Sequence, residues 1–172
     1  MRLMTRGRLA AAVLVIVILA GVVFAARPYL RGLSFVVRAA DMQGSLRRLA
    51  DYDAVAVSER ELQIPIASGT IAGRAYMPAS PARRAVLLVP GLSPSGLDEP
   101  QLNVLARQLA ASGVAVVVPD IGDLRQFTIS PAITDAIEQS ASWLAAQSEF
   151  APDGRIGLLG ISVSGGLTLI AA

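Results

Sequence analysis

The sequence has 172 residues, of which 53% are hydrophobic and 16% charged, and it contains no His, no Cys and no Lys. These absences exclude zinc sites of the Cys/His type, disulfides, thiol nucleophiles, Schiff bases and P-loop lysines. Residues 1–31 hold five arginines and no acidic residue, whereas residues 32–172 hold ten arginines against thirteen acidic residues. The larger part of the chain is therefore mildly acidic, and no nucleic-acid partner is expected.

Residues 9–26 form an uninterrupted apolar run, LAAAVLVIVILAGVVFAA, which follows a basic tail at 1–8. As a helix it would cover about 27 Å, close to the bilayer hydrocarbon core of about 30 Å. We therefore expect a transmembrane helix at 9–26, with the lipid bilayer as its partner. A cleaved signal peptide and a buried core helix are the alternatives. The short basic tail favours a single-pass protein with a cytoplasmic N-terminus and the larger domain on the far side of the membrane.

Residues 27–54 connect this run to the rest of the chain. Phe35, Ala39, Met42, Leu46 and Leu49 recur at spacings of four and three, which is typical of one face of a helix. Two interpretations are open: a helix on the membrane surface, and an amphipathic spacer that packs on the following domain. Gly44 in the middle disfavours one long helix.

An α/β alternation begins near residue 55. The segments 61–66 and 70–77 predict an antiparallel hairpin, in which Pro65 suits an edge strand. Three apolar segments, at 85–90, 114–120 and 155–160, predict parallel strands buried on both faces. The alternation of these segments with predicted helices indicates a parallel βαβαβ arrangement with right-handed crossovers.

Two helices are predicted between these strands, each from a start signal and an apolar face. The first begins at Asp98, with Pro100 in its first turn, and ends at Gly113. The second is capped by Ser130 before Pro131. The residues expected to face inward are Leu102, Leu105 and Leu109 in the first helix, and Ile133, Ile137, Ala141 and Leu144 in the second.

The third parallel strand leads into Gly160-Ile161-Ser162-Val163-Ser164-Gly165-Gly166. Small residues two before and two after Ser162 allow a sharp turn from strand to helix, with the serine hydroxyl at the carboxyl edge of the sheet. The Val163 amide would lie at a helix N-terminus, where it can stabilise negative charge, and the loop Pro90-Gly91-Leu92 would supply a second amide, that of Leu92. A purely steric turn and a nucleotide site are the alternatives; the sequence lacks the lysine of a P-loop, and Ser162 stands where a dinucleotide fingerprint needs glycine.

These features resemble the α/β-hydrolase fold, and more loosely its dienelactone-hydrolase-like and serine-esterase-like branches, over about residues 58–172. The resemblance implies that Ser162 is the nucleophile, that the Leu92 and Val163 amides form the oxyanion hole, and that no metal or other cofactor takes part. A small-molecule ester would be the substrate. Two residues depart from the family pattern: Ser164 replaces a usual glycine, and Pro90 replaces a frequent histidine.

Other candidate side chains are interpreted as structural. Asp120 and Asp123 are the acidic residues expected near the edge of the cleft, but the family order is serine, then acid, then histidine. Both precede Ser162, so a loop role is expected for them. Trp143 and Tyr76 are interpreted as packing residues.

A serine nucleophile needs a base, usually His or Lys, and this sequence contains neither. In the resembling family the acid and the histidine follow the elbow helix. We therefore expect residues 55–172 to be the N-terminal part of an α/β-hydrolase domain, and the protein to be a membrane-anchored serine hydrolase that is inactive as this chain. The alternative is a non-catalytic membrane-tethered module, derived from a hydrolase fold, that serves binding or assembly.

Overall fold

The structure is a computed structural model, and it describes residues 3–40, 44–52, 54–82 and 84–172. The chain divides into two compact units, Met1–Asp51 and Tyr52–Ala172. The first unit contains helices α1 (Leu3–Ala39) and α2 (Ser45–Asp51). The second contains a mixed sheet with helices on both faces, and it holds every residue of the candidate site.

Helix α1 is longer than the predicted one and continues through Arg27 and Pro28. Among the residues that the structure describes, however, no helix has an apolar stretch long enough to cross a membrane. The transmembrane helix predicted at 9–26 is therefore not supported, and the side chains of residues 9–12 lie outside the described part of the chain.

The described residues of the connector belong mainly to two helices. Helix α1 ends at Ala39 and α2 begins at Ser45, and Gly44 between them has a φ of +88°, which no helix contains. Leu46, a member of the predicted face, is 52% exposed, while Ala50 is buried. Met42, the middle of the predicted face, lies outside the described residues.

The second unit contains a five-stranded sheet in the order β1-β2-β4-β3-β5. Strand β2 is antiparallel to both β1 and β4, whereas β3 is parallel to both β4 and β5. The strands are β1 (Val57–Ile66), β2 (Gly69–Pro78), β3 (Ala85–Val89), β4 (Ala115–Pro119) and β5 (Ile156–Gly160). The predicted α/β architecture, a hairpin followed by parallel βαβαβ, is therefore confirmed.

Helices cover both faces of the sheet. Helix α3 (Pro100–Ala111) packs on one face, where Leu102 contributes to a core with Leu88 and Val116. Helix α5 (Pro131–Ala146) packs on the other face, where Ile137 contributes to a core with Leu87 and Val117. Alternate residues of β3 and β4 thus enter opposite cores, which explains why these strands are apolar throughout.

Strand β5 is not buried on both faces, contrary to the prediction. It pairs only with β3 among the described strands, and Leu159 is 40% exposed. Ile156 and Leu158 pack against the core beneath α5, but the face that carries Gly157 and Leu159 is open. The apolar composition of β5 resembles that of β3 and β4, so composition alone did not distinguish an edge strand from a central one.

The predicted start of α3 is also wrong by one residue. Glu99 is the N-cap, and Asp98 ends a short 3-10 turn, Gly96–Asp98. The Asp98 carboxylate instead accepts a hydrogen bond from Arg74 at 3.0 Å. At the start of α5, Ser130 is the predicted N-cap, but its hydroxyl donates to Asp123 rather than capping the helix. A short helix, α4 (Gly122–Arg125), was not predicted.

Arg74 ties this turn to the sheet. Its guanidinium donates to the Leu97 carbonyl at 2.9 Å and to the carboxylates of Asp98 and Glu61 at 3.0 Å. Burial lowers the pKa of Arg74, but the hydrogen bonds to Asp98 and Glu61 outweigh it and leave the pKa raised. Arg74 therefore stays charged and fixes the backbone that leads into α3.

Candidate active site

Ser162 occupies a sharp turn between β5 and helix α6 (Ser164–Ile170). Its φ is +57°, one of only two positive φ values at non-glycine residues in the described part of the chain. An L-residue with a side chain rarely adopts this conformation, and such strain is found most often at functional sites. Ser162 is exposed, so its hydroxyl is accessible from outside the domain.

Gly160 makes the turn possible. Helix α6 folds back so closely that a Cβ at position 160 would lie 2.5 Å from the Ser164 carbonyl carbon, below the 3.0 Å that real Cβ atoms respect. The Thr168 hydroxyl, which donates to the Ser164 carbonyl, blocks the same space. Position 160 therefore admits only glycine without a shift of the helix backbone.

The loop Pro90-Gly91-Leu92 lies beside this turn. Strands β3 and β5 are neighbours with Val89 opposite Gly160, so the segments that follow them leave the sheet together. The Ile161 amide extends the pairing by donating to the Val89 carbonyl at 3.1 Å. A Cβ at Gly91 would lie 3.3 Å from the Ile161 carbonyl oxygen and 3.6 Å from the Ser162 Cβ. The predicted oxyanion loop and the predicted nucleophile are thus in contact.

The two predicted oxyanion amides differ from their neighbours in hydrogen bonding. At the start of α6 the amides of Ser164, Gly165 and Gly166 donate to the carbonyls of residues 161–163. Within the described residues, the Val163 and Leu92 amides donate to no backbone carbonyl. Both amides are therefore free of backbone acceptors in the described part of the chain.

Ser164, the residue that departs from the family pattern, joins the two loops. It is fully buried, and its hydroxyl donates to the Pro90 carbonyl at 2.6 Å across 74 residues of sequence. The accepting oxygen belongs to Pro90, which is the other residue that departs from the family pattern. The two unusual residues therefore form one contact that holds the oxyanion loop against the start of α6.

Ser162 borders a cavity of about 450 Å³. Its wall contains the whole Pro90-Gly91-Leu92 loop, Ile161, and residues from the start of α3, including Glu99, Leu102 and Leu105. The cavity is of a size typical of small-molecule sites, with apolar walls and a few polar groups. Ser162 therefore borders a space large enough for a small-molecule substrate.

Asp120 and Asp123 do not line this cavity. The Asp120 carboxylate pairs with Arg125 at 3.1 Å, and the Asp123 carboxylate accepts the Ser130 hydroxyl. The loop role predicted for both is therefore consistent with their contacts. The packing interpretation of Tyr76 and Trp143 also agrees: Tyr76 is buried and donates to Asn103 at 2.5 Å, and the Trp143 ring lies 6.3 Å from that of Phe150.

The acidic residue in the cavity wall is Glu99, which the sequence did not single out. It was hidden because the N-terminus of α3 was placed at Asp98, which left Glu99 inside a helix. The pair Glu99-Pro100, an acidic residue before a proline at the first helical position, was the available signal. Among the described residues, no group of three or more acidic side chains could hold a metal ion.

We expect Gly160→Ala to lower the free energy of unfolding by about 3 kcal/mol, because α6 must move to admit the methyl group. Gly166→Ala is the matched control on the same helix: a Cβ there meets nothing within 4 Å. It should stabilise the domain by up to about 1 kcal/mol through helix propensity. Urea unfolding followed by circular dichroism measures both; equal values for the two variants would contradict the close contact.

A second pair of variants tests the contact between Ser164 and Pro90. Ser164→Ala leaves the Pro90 carbonyl without its partner and should cost about 1 to 2 kcal/mol of unfolding free energy. It should also shift the NMR amide signals of Gly91 and Leu92, because the loop loses its contact with α6. Ser140 is equally buried, but its hydroxyl has no partner among the described residues, so Ser140→Ala should be neutral within about 0.5 kcal/mol. Unchanged amide signals of the loop in Ser164→Ala would show that the hydroxyl does not hold it.

No protein-family profile matches the sequence, and no curated protein matches it significantly. Solved structures do match. An esterase from Pyrobaculum calidifontis has 22% identity and a TM-score of 0.56, over 87% of this chain and 46% of the esterase. Dienelactone hydrolase from Anabaena variabilis has 22% identity and a TM-score of 0.58, over 67% of this chain and 57% of that enzyme. Brefeldin A esterase, a bacterial homologue of human hormone sensitive lipase, has 17% identity and a TM-score of 0.57, over 84% and 43%.

The chain thus spans about half the length of the solved structures that it matches. At these identities the likeness establishes the fold and leaves substrate and activity open. The matched proteins share the α/β-hydrolase fold, and the order of strands, the turn at Ser162 and the adjacent loop agree with it. The chain therefore adopts part of the α/β-hydrolase fold.

Proposed function

We propose that this chain supplies the nucleophile and the oxyanion hole of a serine hydrolase that cleaves esters or related acyl bonds. The observation that carries the proposal is the strained turn at Ser162, which lies next to the Pro90-Gly91-Leu92 loop and borders a substrate-sized cavity. In the proposal the Leu92 and Val163 amides form the oxyanion hole for this serine. A positive φ at serine lowers the stability of the fold, and such strained residues are concentrated at functional sites. The strain at Ser162 therefore supports a functional role.

In the proposed reaction the Ser162 Oγ attacks the carbonyl carbon of the ester and its proton passes to a base. The carbonyl oxygen becomes an oxyanion that accepts hydrogen bonds from the Leu92 and Val163 amides. Collapse of the tetrahedral intermediate expels the alcohol, which takes up the proton, and leaves an acyl ester on Ser162. Water then cleaves this ester, releasing the carboxylic acid and restoring the serine.

The base is not supplied by these 172 residues, since they include neither His nor Lys. The proposed reaction therefore needs a base from outside these residues. The same absence favours a second candidate, a non-catalytic binding or assembly module that keeps part of a hydrolase fold. The two candidates differ in whether Ser162 can be acylated once a base is provided.

We expect the chain by itself to leave Ser162 unacylated by p-nitrophenyl butyrate, and added imidazole, acting as the missing base, to produce a butyryl adduct on Ser162. Peptide mass spectrometry measures the adduct. Val163→Pro deletes one oxyanion donor at a φ of −56°, close to that of proline, and should slow adduct formation about 100-fold. Circular dichroism must show that it folds, because proline also restricts the residue before it.

The matched control is Ser142→Ala, which removes an exposed serine outside the cavity and should leave the adduct on Ser162 unchanged. Ser162→Ala should abolish it. An adduct spread evenly over exposed serines would favour the non-catalytic module. If the chain hydrolysed p-nitrophenyl butyrate without imidazole and lost this activity in Ser162→Ala, the claim that it lacks a base would be wrong.

We further propose that the chain associates with a membrane through α1. The described apolar side chains from Val13 to Phe24 are between 54% and 73% exposed, among them Ile16, Ile18 and Leu19. An exposed apolar surface of this extent is typical of lipid or protein contacts, and the basic tail before it suits anionic headgroups.

The expected result is flotation of the full chain with vesicles that contain anionic lipid. The double variant Ile16→Arg, Leu19→Arg should lower the bound fraction at least about tenfold, since charge in the apolar surface opposes lipid contact. Val104→Arg is the matched control: Val104 is 51% exposed on α3, outside α1. Recovery of the unaltered chain entirely in the unbound fraction would refute the association.

A further inference from the structure

The cavity beside Ser162 has an uneven distribution of polarity. Its apolar wall is built by Leu92, Leu102, Leu105 and Ile161, and Glu99 is its one charged side chain among the described residues. The Glu99 carboxylate is half-buried in this wall. The cavity therefore combines one negative side chain and the neutral polar groups of Ser93, Gln101 and Ser162 with an apolar wall.

The position of Glu99 is fixed by three contacts. The Ser93 hydroxyl donates to its Oε2 at 2.7 Å, which anchors one carboxylate oxygen. Its backbone amide donates to the Gly96 carbonyl at 3.3 Å, and its carbonyl accepts from the Asn103 amide at 3.0 Å. The side chain is half-buried at the N-cap of α3. This is a preorganised carboxylate rather than a freely rotating one.

Glu99 has no basic partner in the described part of the chain. Most other described acidic side chains that are held by side-chain contacts face an arginine: Glu59 faces Arg107, Asp120 faces Arg125, and Glu149 faces Arg60. Arg74 serves both Glu61 and Asp98, the residue next to Glu99. The carboxylate in the cavity wall is thus left to pair with something that enters the cavity.

We propose that Glu99 selects esters that carry a cationic ammonium group on an apolar body. The inference rests on the proposed function, because it names the substrate class of that same site. The ammonium group would pair with the carboxylate at the start of α3, and the apolar body would lie against the leucines. The ester carbonyl would then reach Ser162 and the Leu92 and Val163 amides.

The test compares two esters of nearly the same shape, acetylcholine and its uncharged isostere 3,3-dimethylbutyl acetate. Binding to the full chain is measured by NMR titration at low ionic strength, through the amide signals of Leu92, Glu99 and Val163. We expect acetylcholine to bind about fivefold more tightly, the effect of one partly exposed ion pair. Added salt should shrink this ratio and leave the affinity of the neutral ester nearly unchanged.

Glu99→Gln keeps the shape of the side chain and removes its charge, so the ratio should fall to about one. Glu138→Gln is the matched control, since Glu138 is exposed on α5 and does not line this cavity; the fivefold ratio should persist. Ser93→Ala, which frees the carboxylate to rotate, should give an intermediate ratio. It also provides a second variant if Glu99→Gln does not fold.

Equal affinities for the two esters, no binding of either, or a ratio that survives Glu99→Gln would each overturn the inference. Its failure is distinguishable from that of the proposed function. Imidazole-dependent acylation of Ser162 by a neutral ester would persist if only the cation preference were wrong. A Glu99-dependent preference without acylation of Ser162 would support the binding site and contradict the hydrolase.

Discussion

The pairing of β3 with β5 is the contact on which the candidate site depends. These strands are far apart in sequence, yet Val89 lies opposite Gly160, and the Ile161 amide extends the ladder to the Val89 carbonyl. Parallel neighbours end at the same edge of the sheet, so the segments that follow them emerge side by side. A shift of this register by one residue would separate the Leu92 amide from Ser162 and turn every side chain of β5 to the opposite face.

A close approach of backbone to backbone completes the arrangement. Helix α6 can turn back over the end of β5 only because Gly160 has no side chain, and the returning helix buries Ser164 against the Pro90 carbonyl. The strain at Ser162 is held in place by these surroundings, since the packed helix and the sheet leave the turn no other path. Packing thus sustains a conformation that the residue would not adopt in isolation.

Charge is distributed differently on the two sides of the turn that precedes α3. Arg74 satisfies Asp98 and the Leu97 carbonyl, which fixes the backbone at the entrance to the helix. One residue later, Glu99 turns into the cavity and receives only the Ser93 hydroxyl. At the start of α3, Asp98 therefore helps to fix the backbone, and the next residue, Glu99, lines the candidate site.

Much of the fold could be predicted from residue pattern. The hairpin around Ala67 and Ser68, the apolar strands β3 and β4, and helices α3 and α5 follow from periodicity and turn chemistry, which act over a few residues. The predictions that failed depended on distant partners. Strand β5 has the apolar composition of a fully buried strand but has one open face, and Asp98 has the sequence of a cap but binds Arg74.

The sequence by itself determined the alternation of strands and helices, the small residues around Ser162, and the absence of any His or Lys that could act as its base. These are local or compositional properties, which do not depend on which residues lie next to each other in the folded chain. Tertiary structure alone decided that Ser164 would hold Pro90 and that Glu99 rather than Asp120 would enter the cavity. The physical reason is that strand order and helix start set these contacts between residues far apart in the chain, and no local pattern encodes which distant group will be adjacent.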